Sequence, residues 1–158
     1  MKILALAIAL CCAGAFSEVA YAQDQLFPPT RSAQTGNALN GDELRELVTG
    51  NTISGQHDNG MPYSEYHSPD GRIFGHNNFD PVKDGCWQVR GDSVCYSYES
   101  GQAPGLFCWR FFKMADGNYR ILLPRTGTSG SAIVAKGNPE HHTDNGKPWT
   151  CQALLSQR

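Results

Sequence analysis

The chain has 158 residues, 18% of them charged, with a formal net charge of −2 at neutral pH. Charges of both signs are scattered and no basic run or basic helix is present, which argues against nucleic acid and anionic membrane as partners. A chain of this length fits one domain with a real but modest core.

The first element is an export signal. Met1 and Lys2 precede an apolar run from Ile3 to Phe16 that Ser17 and Glu18 end. That run is too short for a membrane-spanning helix, which needs about 20 apolar residues. Ala20, Tyr21 and Ala22 form the small-x-small pattern read by signal peptidase, which places cleavage after Ala22 and predicts a periplasmic or secreted protein without an integral membrane anchor. A lipoprotein is the competing reading, because Cys11 and Cys12 lie in the apolar run. A lipobox wants a small residue before the modified cysteine, whereas Cys11 follows Leu10 and Cys12 follows Cys11.

Residues 23 to 39 carry Pro28, Pro29 and few apolar side chains, and read as an extended lead-in to a single domain over 40–158. A helix is predicted from Gly41 to Thr49. Asn40 is its N-cap and Glu43 stands three residues on, at capping-box spacing, with Leu39 and Leu44 at the staple positions. Leu44, Leu47 and Val48 share one face, and Gly50 suits the left-handed residue that ends a helix.

From Asn51 the apolar period changes to two. Strands are predicted over Thr52 to Gly55, Tyr63 to Ser68, Arg72 to His76, Cys86 to Arg90, Ser93 to Tyr98, Leu106 to Lys113, Tyr119 to Leu123 and Ser131 to Lys136. Pro69-Asp70-Gly71, Gly91-Asp92, Asp116-Gly117-Asn118 and Thr128-Ser129-Gly130 read as turns. Sequential strands joined by short turns predict a mainly β fold: an antiparallel up-and-down meander of about eight strands, as a small barrel or a strongly curved sheet, with one short helix.

Four of the six cysteines, Cys86, Cys95, Cys108 and Cys151, follow the leader. An even number in a small exported domain reads as two disulfides, with three connectivities open. Cys95 and Cys108 sit on strands that read as a hairpin around Gly101 to Gly105, so they are expected to pair, which leaves Cys86 for Cys151. A zinc thiolate site is disfavoured by the lack of Cys-x-x-Cys spacing.

Leu47-Val48-Thr49-Gly50-Asn51-Thr52, Tyr63-Ser64-Glu65-Tyr66, Pro69-Asp70-Gly71, Gly85-Cys86-Trp87-Gln88-Val89, Cys95 and Cys108 together make the chain similar to small secreted proteins of Gram-negative bacteria grouped as a domain of unknown function. The resemblance spans about residues 44 to 138 and implies an exported β-domain with a cysteine pair matching Cys95 and Cys108. It implies no activity and no catalytic residue.

Candidate chemistry is thin. His57, His67 and His76 are the weak candidates for a metal site on one sheet face, although a turn near Asp70 sets His67 across from about Phe74 rather than His76. The plainer expectation is polar loop and strand-end histidines on a solvated surface. His141 and His142 are adjacent, point oppositely on an extended chain and read as surface loop. Ser129-Gly130-Ser131 lacks the elbow of a serine nucleophile.

The aromatic residues stand out: Trp87, Tyr96, Tyr98, Phe107, Trp109 and Phe111 fall on three consecutive strands, with Phe112 on the last of them. Alternation puts Phe107, Trp109 and Phe111 on one face and Cys108, Arg110 and Phe112 on the other. That face is either core, the lining of a lipocalin-like cup, or a docking patch for protein or sugar rings. The sequence therefore predicts an exported, non-catalytic binding or accessory module for an unknown small ligand or envelope protein, with no cofactor. A metal-dependent or hydrolytic enzyme using the histidines is the alternative.

Overall fold

The computed structural model describes residues 36–82, 84–98, 106–144 and 149–151. The export signal with Cys11, Cys12 and the Ala22 cleavage point, the lead-in up to residue 35, the hairpin loop from Gly101 to Gly105 and the Asn145-Gly146 pair lie outside the described residues.

Among the described residues, ten strands and one helix follow one another: β1 (Asn37–Ala38), α1 (Gly41–Val48), β2 (Asn51–His57), β3 (Pro62–His67), β4 (Arg72–Asn77), β5 (Asp80–Pro81), β6 (Gly85–Arg90), β7 (Ser93–Tyr98), β8 (Leu106–Lys113), β9 (Tyr119–Leu123) and β10 (Thr128–Lys136). The eight long strands pair antiparallel in chain order, and β10 returns to pair β2, from Gly130 with His57 to Lys136 with Asn51. The meander is thus a closed eight-stranded barrel, and closure removes the sheet edges that would otherwise template association. The short strands patch the rim: β1 extends the β7 side of β8, and β5 takes the part of β4 that leaves β6.

Helix α1 plugs one end of the barrel. The Asn40 side chain accepts from the Asp42 and Glu43 amides while Glu43 reaches back to the Asn40 amide at 2.8 Å, a complete capping box. Leu44 and Val48 are fully buried in the core with Leu39. Thr49 is the C-cap and Gly50 takes a positive φ of 72°, so the helix ends one residue before the expected Thr49.

The Cys95–Cys108 disulfide joins residues directly opposite on β7 and β8, and the Cys86–Cys151 disulfide ties the C-terminal segment to β6. That segment straps the outer face of the barrel. Thr52 donates to the Gly137 carbonyl at 2.8 Å, Arg72 lies 3.7 Å from Asp144, and the Trp149 indole packs on Phe74 while donating to the Gly85 carbonyl at 3.1 Å. It crosses the weakest seam, because β4 and β6 share only the pairs Arg72 with Cys86 and Ile73 with Gly85.

Two local expectations are corrected. Thr128, Ser129 and Gly130 belong to β10, not to a turn; the turn is Pro124 to Gly127, closed by the Thr126 and Gly127 amides on the Leu123 carbonyl. His67 faces Ile73, one residue from the expected Phe74 and, as expected, not His76, since the Ser68 amide on the Arg72 carbonyl closes a loop that pairs 67 with 73. That register sets Ser64 opposite His76.

Candidate functional site

In a barrel of eight strands the interior is just wide enough for side chains to fill it. Phe107, Trp109 and Phe111 do lie on the inner face, across from Tyr96 and Val94 of β7. Trp87, Tyr96 and Phe111 are buried in the core, and Tyr98 and Trp109 pack against it. The space left among Tyr96, Tyr98, Trp109 and Phe111 is a cavity of ≈ 30 Å³ shared with polar side chains. That is room for about one water molecule, not for the apolar guest of a lipocalin-like cup.

The interior is also polar. Tyr63, Glu65 and His67 alternate inward along β3, and Glu65 is 4% exposed while His67 is fully buried. Glycines make room for this row: Tyr63 pairs with Gly55, Glu65 with Gly75, and across the other seam His57 with Gly130. Gly75 is required twice over, by its φ of 141° and because a Cβ there would sit 2.1 Å from the Ser64 carbonyl oxygen.

Tyr98 donates to the Glu65 carboxyl at 2.9 Å, with Asn77 at 3.4 Å. These bonds favour the charged form, but burial outweighs them and pushes the Glu65 pKa up to about 7. His67 donates from Nδ1 to the Glu65 carbonyl at 3.0 Å, leaving Nε2 to accept from Tyr96 at 3.0 Å. Burial lowers its pKa to about 4, so the ring is neutral. Tyr63 donates to the Ser131 carbonyl at 2.8 Å, and burial raises its pKa and those of Tyr96 and Tyr98.

The three weak metal candidates are dispersed. His67 is core, which corrects the expectation of a solvated strand end. His57 is half-buried at the cavity, stacked 5.0 Å from Tyr63 and 5.4 Å from Trp109, and burial lowers its pKa against the opposing pull of Asn77 and Asp58. His76 lies on the outer face. Among the described residues no group of three or more His, Cys, Asp or Glu side chains is placed to hold a metal ion, nor is any helix long and apolar enough to cross a membrane.

His76 meets a different histidine. The strap carries His142 over β3 and β4, 5.9 Å from the His76 ring in an edge-on arrangement, with Nε2 at 2.9 Å from the Ser64 hydroxyl and 3.2 Å from Glu140. Ser, His and Glu in contact invite comparison with a nucleophile triad, and the geometry rejects it. In a triad the acid holds Nδ1 and the serine meets Nε2; here both crowd onto Nε2. Ser64 is buried in the middle of β3, whose amides are taken up by the ladders to β2 and β4, so no backbone donors converge on an oxyanion. Burial and the nearby His76 lower the His142 pKa, with Glu140 opposing, and the ring serves as an anchor for the strap. Ser129 likewise donates to Asp58, which Arg120 holds at 2.8 Å and keeps below the usual carboxylate range; this cluster pins the β2–β3 turn, and a carboxylate held so low is too weak a base to activate the hydroxyl.

Between the strap and the β4–β5 corner lies a groove of ≈ 430 Å³, lined by Gly75, His76, Phe79, Pro81 and residues 141–143. Asn78 and Phe79 turn the chain from β4 into β5 with φ of 55° and 66°, and His141 on the opposite wall has φ of 54°. A bulky side chain in this region is an outlier, since the conformation crowds its Cβ. The Phe79 ring is nevertheless 77% exposed. Nδ1 of His76 and the side-chain oxygen of Asn78 are buried without a hydrogen-bond partner.

Sequence reasoning passed over Glu65, Phe79 and the pairing of His142 with His76. A signal existed for the first two: the Tyr63-x-Glu65-x-His67 alternation, and a large apolar residue directly after Asn77-Asn78, where a turn wants glycine. Nothing local marks the third, because the two histidines are 66 positions apart along the chain. No family model, no curated protein and no solved structure matches this chain.

Proposed function

We propose that the protein is an exported, non-catalytic binding module of the cell envelope, and that it engages its small ligand or protein partner in the groove between β4–β5 and the strap. The observation that carries this reading is the groove's rim: Phe79 and His141 both sit in left-handed backbone, and the Phe79 ring is exposed rather than packed. Such outliers cost about 1–3 kcal/mol each and gather at binding sites, where the surroundings hold them in place for a partner. Packing of the interior supports the outer face as the place of contact. Two disulfides and the apolar leader with its Ala-x-Ala site support an oxidising compartment, periplasmic or extracellular.

The reading is tested by amide-resolved NMR of the ¹⁵N-labelled protein mixed with a small-molecule extract and then a protein extract of the same cell envelope. Shift changes confined to residues 75–79 and 141–143 and lost in Phe79→Gly are the expected result. Changes confined to the ring of residues around Glu65, or none in the groove, overturn it. The hydrolase alternative rests on the Ser64–His142 contact at 2.9 Å. It predicts turnover of an activated ester that disappears in Ser64→Ala; the binding reading predicts none in either protein.

A further inference from the structure

We propose that the strap is a proton-operated latch: while His76 and His142 are both neutral it holds residues 138–142 against β3 and β4, and protonation of the pair lets that stretch lift away. Residues 141–143 form one wall of the groove, so the latch also regulates the groove; that part of the inference rests on the groove reading.

The latch is tied at both ends and closed on itself in between. Thr52 donates to the Gly137 carbonyl, the Gly137 amide donates to the Asn51 side chain at 3.2 Å, and further on Asp144 lies beside Arg72. Between these ties the Asn138 side chain accepts from the His142 amide at 2.9 Å and donates to the His142 carbonyl at 2.8 Å, while the His141 amide donates to the Asn138 carbonyl at 3.2 Å. Residues 138–142 are thus one small unit, and the ring of His142 plants it on the barrel. That side chain is only 10% exposed, with Nε2 2.9 Å from the Ser64 hydroxyl of β3 and the ring 5.9 Å, edge-on, from His76 of β4. His141, in the same unit, is held in left-handed backbone with φ of 54°. Such a conformation persists where the surroundings enforce it, and it recurs in switch regions, where release relieves the strain.

The contact suits two neutral rings and opposes two charged ones. The neighbours that β3 and β4 bring are Ser64 and His76; Ser54 of β2 and Pro81 of β5, which pair with them, add no charge. The strap itself brings Glu140, 3.2 Å from His142 Nε2 and half exposed, and His141. Glu140 can offset one imidazolium, but a second one 5.9 Å away meets like charge. An imidazolium also carries N–H at both nitrogens, and Nδ1 of His76 is buried with no acceptor for one. Burial and His76 lower the His142 pKa against the pull of Glu140. A histidine shifted this way stabilises the closed strap fully above its ordinary value of 6.5, and that contribution is lost as the pH falls below it.

The test follows amide hydrogen exchange, corrected for its intrinsic pH dependence, in the exported, disulfide-intact protein between pH 7.5 and 5.0. The expected result is a several-fold loss of protection at the His141 and His142 amides on acidification, with the β7 and β8 amides around Cys95 and Cys108 unchanged. His76→Gln and His76→Phe cannot charge, and at least one of them should keep the protection at pH 5.0. Glu65→Gln, which removes the titrating group of the interior, should lose it as the parent does. No loss in the parent, an equal loss in the parent and both His76 variants, or a loss abolished by Glu65→Gln overturns the latch. The groove reading is separated by adding the envelope extracts at both pH values. Groove shifts that need several-fold more extract at pH 5.0 than at 7.5 are expected; equal binding with the strap released overturns the regulation and leaves the groove. No groove shift at pH 7.5 overturns the groove reading and leaves the latch.

Discussion

The inside of the barrel and the groove outside it are built from the same materials, histidines and aromatic rings among neutral polar groups, and dispose of them in opposite ways. Inside, His67 has both ring nitrogens bonded and packs on Trp87 and Tyr96, while His57 at the cavity keeps a buried Nδ1 without a partner. Outside, His76 leaves Nδ1 unbonded and Phe79 holds its ring in solvent from a strained backbone. The lesson is that residue type does not identify a site here. What separates the two regions is exposure: the interior rings are packed away from solvent, while Phe79 holds its ring in it.

The comparison breaks most decisively at Phe111, which is 2% exposed in the middle of β8. Phe111→Ala should lower the unfolding free energy in urea by about 3–5 kcal/mol, the cost of deleting a ring from a core that closes only partly around the hole. A loss below about 1 kcal/mol would mean a loosely filled interior able to admit a ligand, and the contrast with the groove would vanish.

Glu65→Gln sharpens the same contrast through pH. The folded-state pKa of Glu65 is raised from 4.5 to about 7, so its protonated form contributes stability that is fully present below pH 4.5 and lost as the pH rises through 7. At about 1.4 kcal/mol per unit, the loss reaches about 3 to 4 kcal/mol above that range. His67 runs the other way: lowered from 6.5 to about 4, its neutral form contributes stability present above pH 6.5 and lost as the pH falls through 4. Denaturation across pH 4 to 9 should therefore show the variant equal to the parent at the acid end and more stable at the alkaline end. A difference independent of pH would place Glu65 in contact with water.

How much of this was legible in the sequence depends on the range of the interaction. The Asn40 cap, the eight long strands and the facing Cys95 and Cys108 all rest on neighbours within a turn or a hairpin, and these are the parts that local pattern predicts. Closure of the barrel rests on β10 meeting β2, and the meeting of His142 with His76 rests on a strap that crosses two strands; neither leaves a local trace. Glu65 was hidden for a different reason. On β3 the inward set is Tyr63, Glu65, His67 and the outward set is Ser64, Tyr66, so both faces mix polar with aromatic and period two names no inside. The turn at Pro124 to Gly127 was available, but Thr128-Ser129-Gly130 looked more turn-like; Gly130 is there to clear the backbone of β2, where a Cβ would stand 2.7 Å from the Gln56 carbonyl oxygen.

A smaller effect is expected at Tyr96, whose hydroxyl is the donor to His67 Nε2 at 3.0 Å. Tyr96→Phe keeps the ring and strands a buried acceptor, so it should cost about 1–3 kcal/mol by urea denaturation at neutral pH. Because the stranded nitrogen then has reason to take up a proton, the cost should shrink as the pH falls. A constant cost would show that His67 finds another donor inside.

The smallest effect is expected at Phe79, and there the two regions differ most. Three terms act on Phe79→Gly. Removing the side chain relieves a left-handed conformation with φ of 66°, and the ring, 77% exposed, gives up little packing. Against these, glycine adds freedom to the unfolded chain worth about 0.4–1 kcal/mol. At the low end of its range, about 1 kcal/mol, the first is offset by the last, and above that it prevails, so in urea the variant should lose no more than about 0.5 kcal/mol and gain up to about 2 where the strain is largest. A ring of the same size costs several kcal/mol at Phe111, so the absence of a loss at Phe79 means that its exposed position does nothing for the fold and is free to serve a partner. A loss of more than about 2 kcal/mol would instead make Phe79 part of the packing that holds β5 to β4.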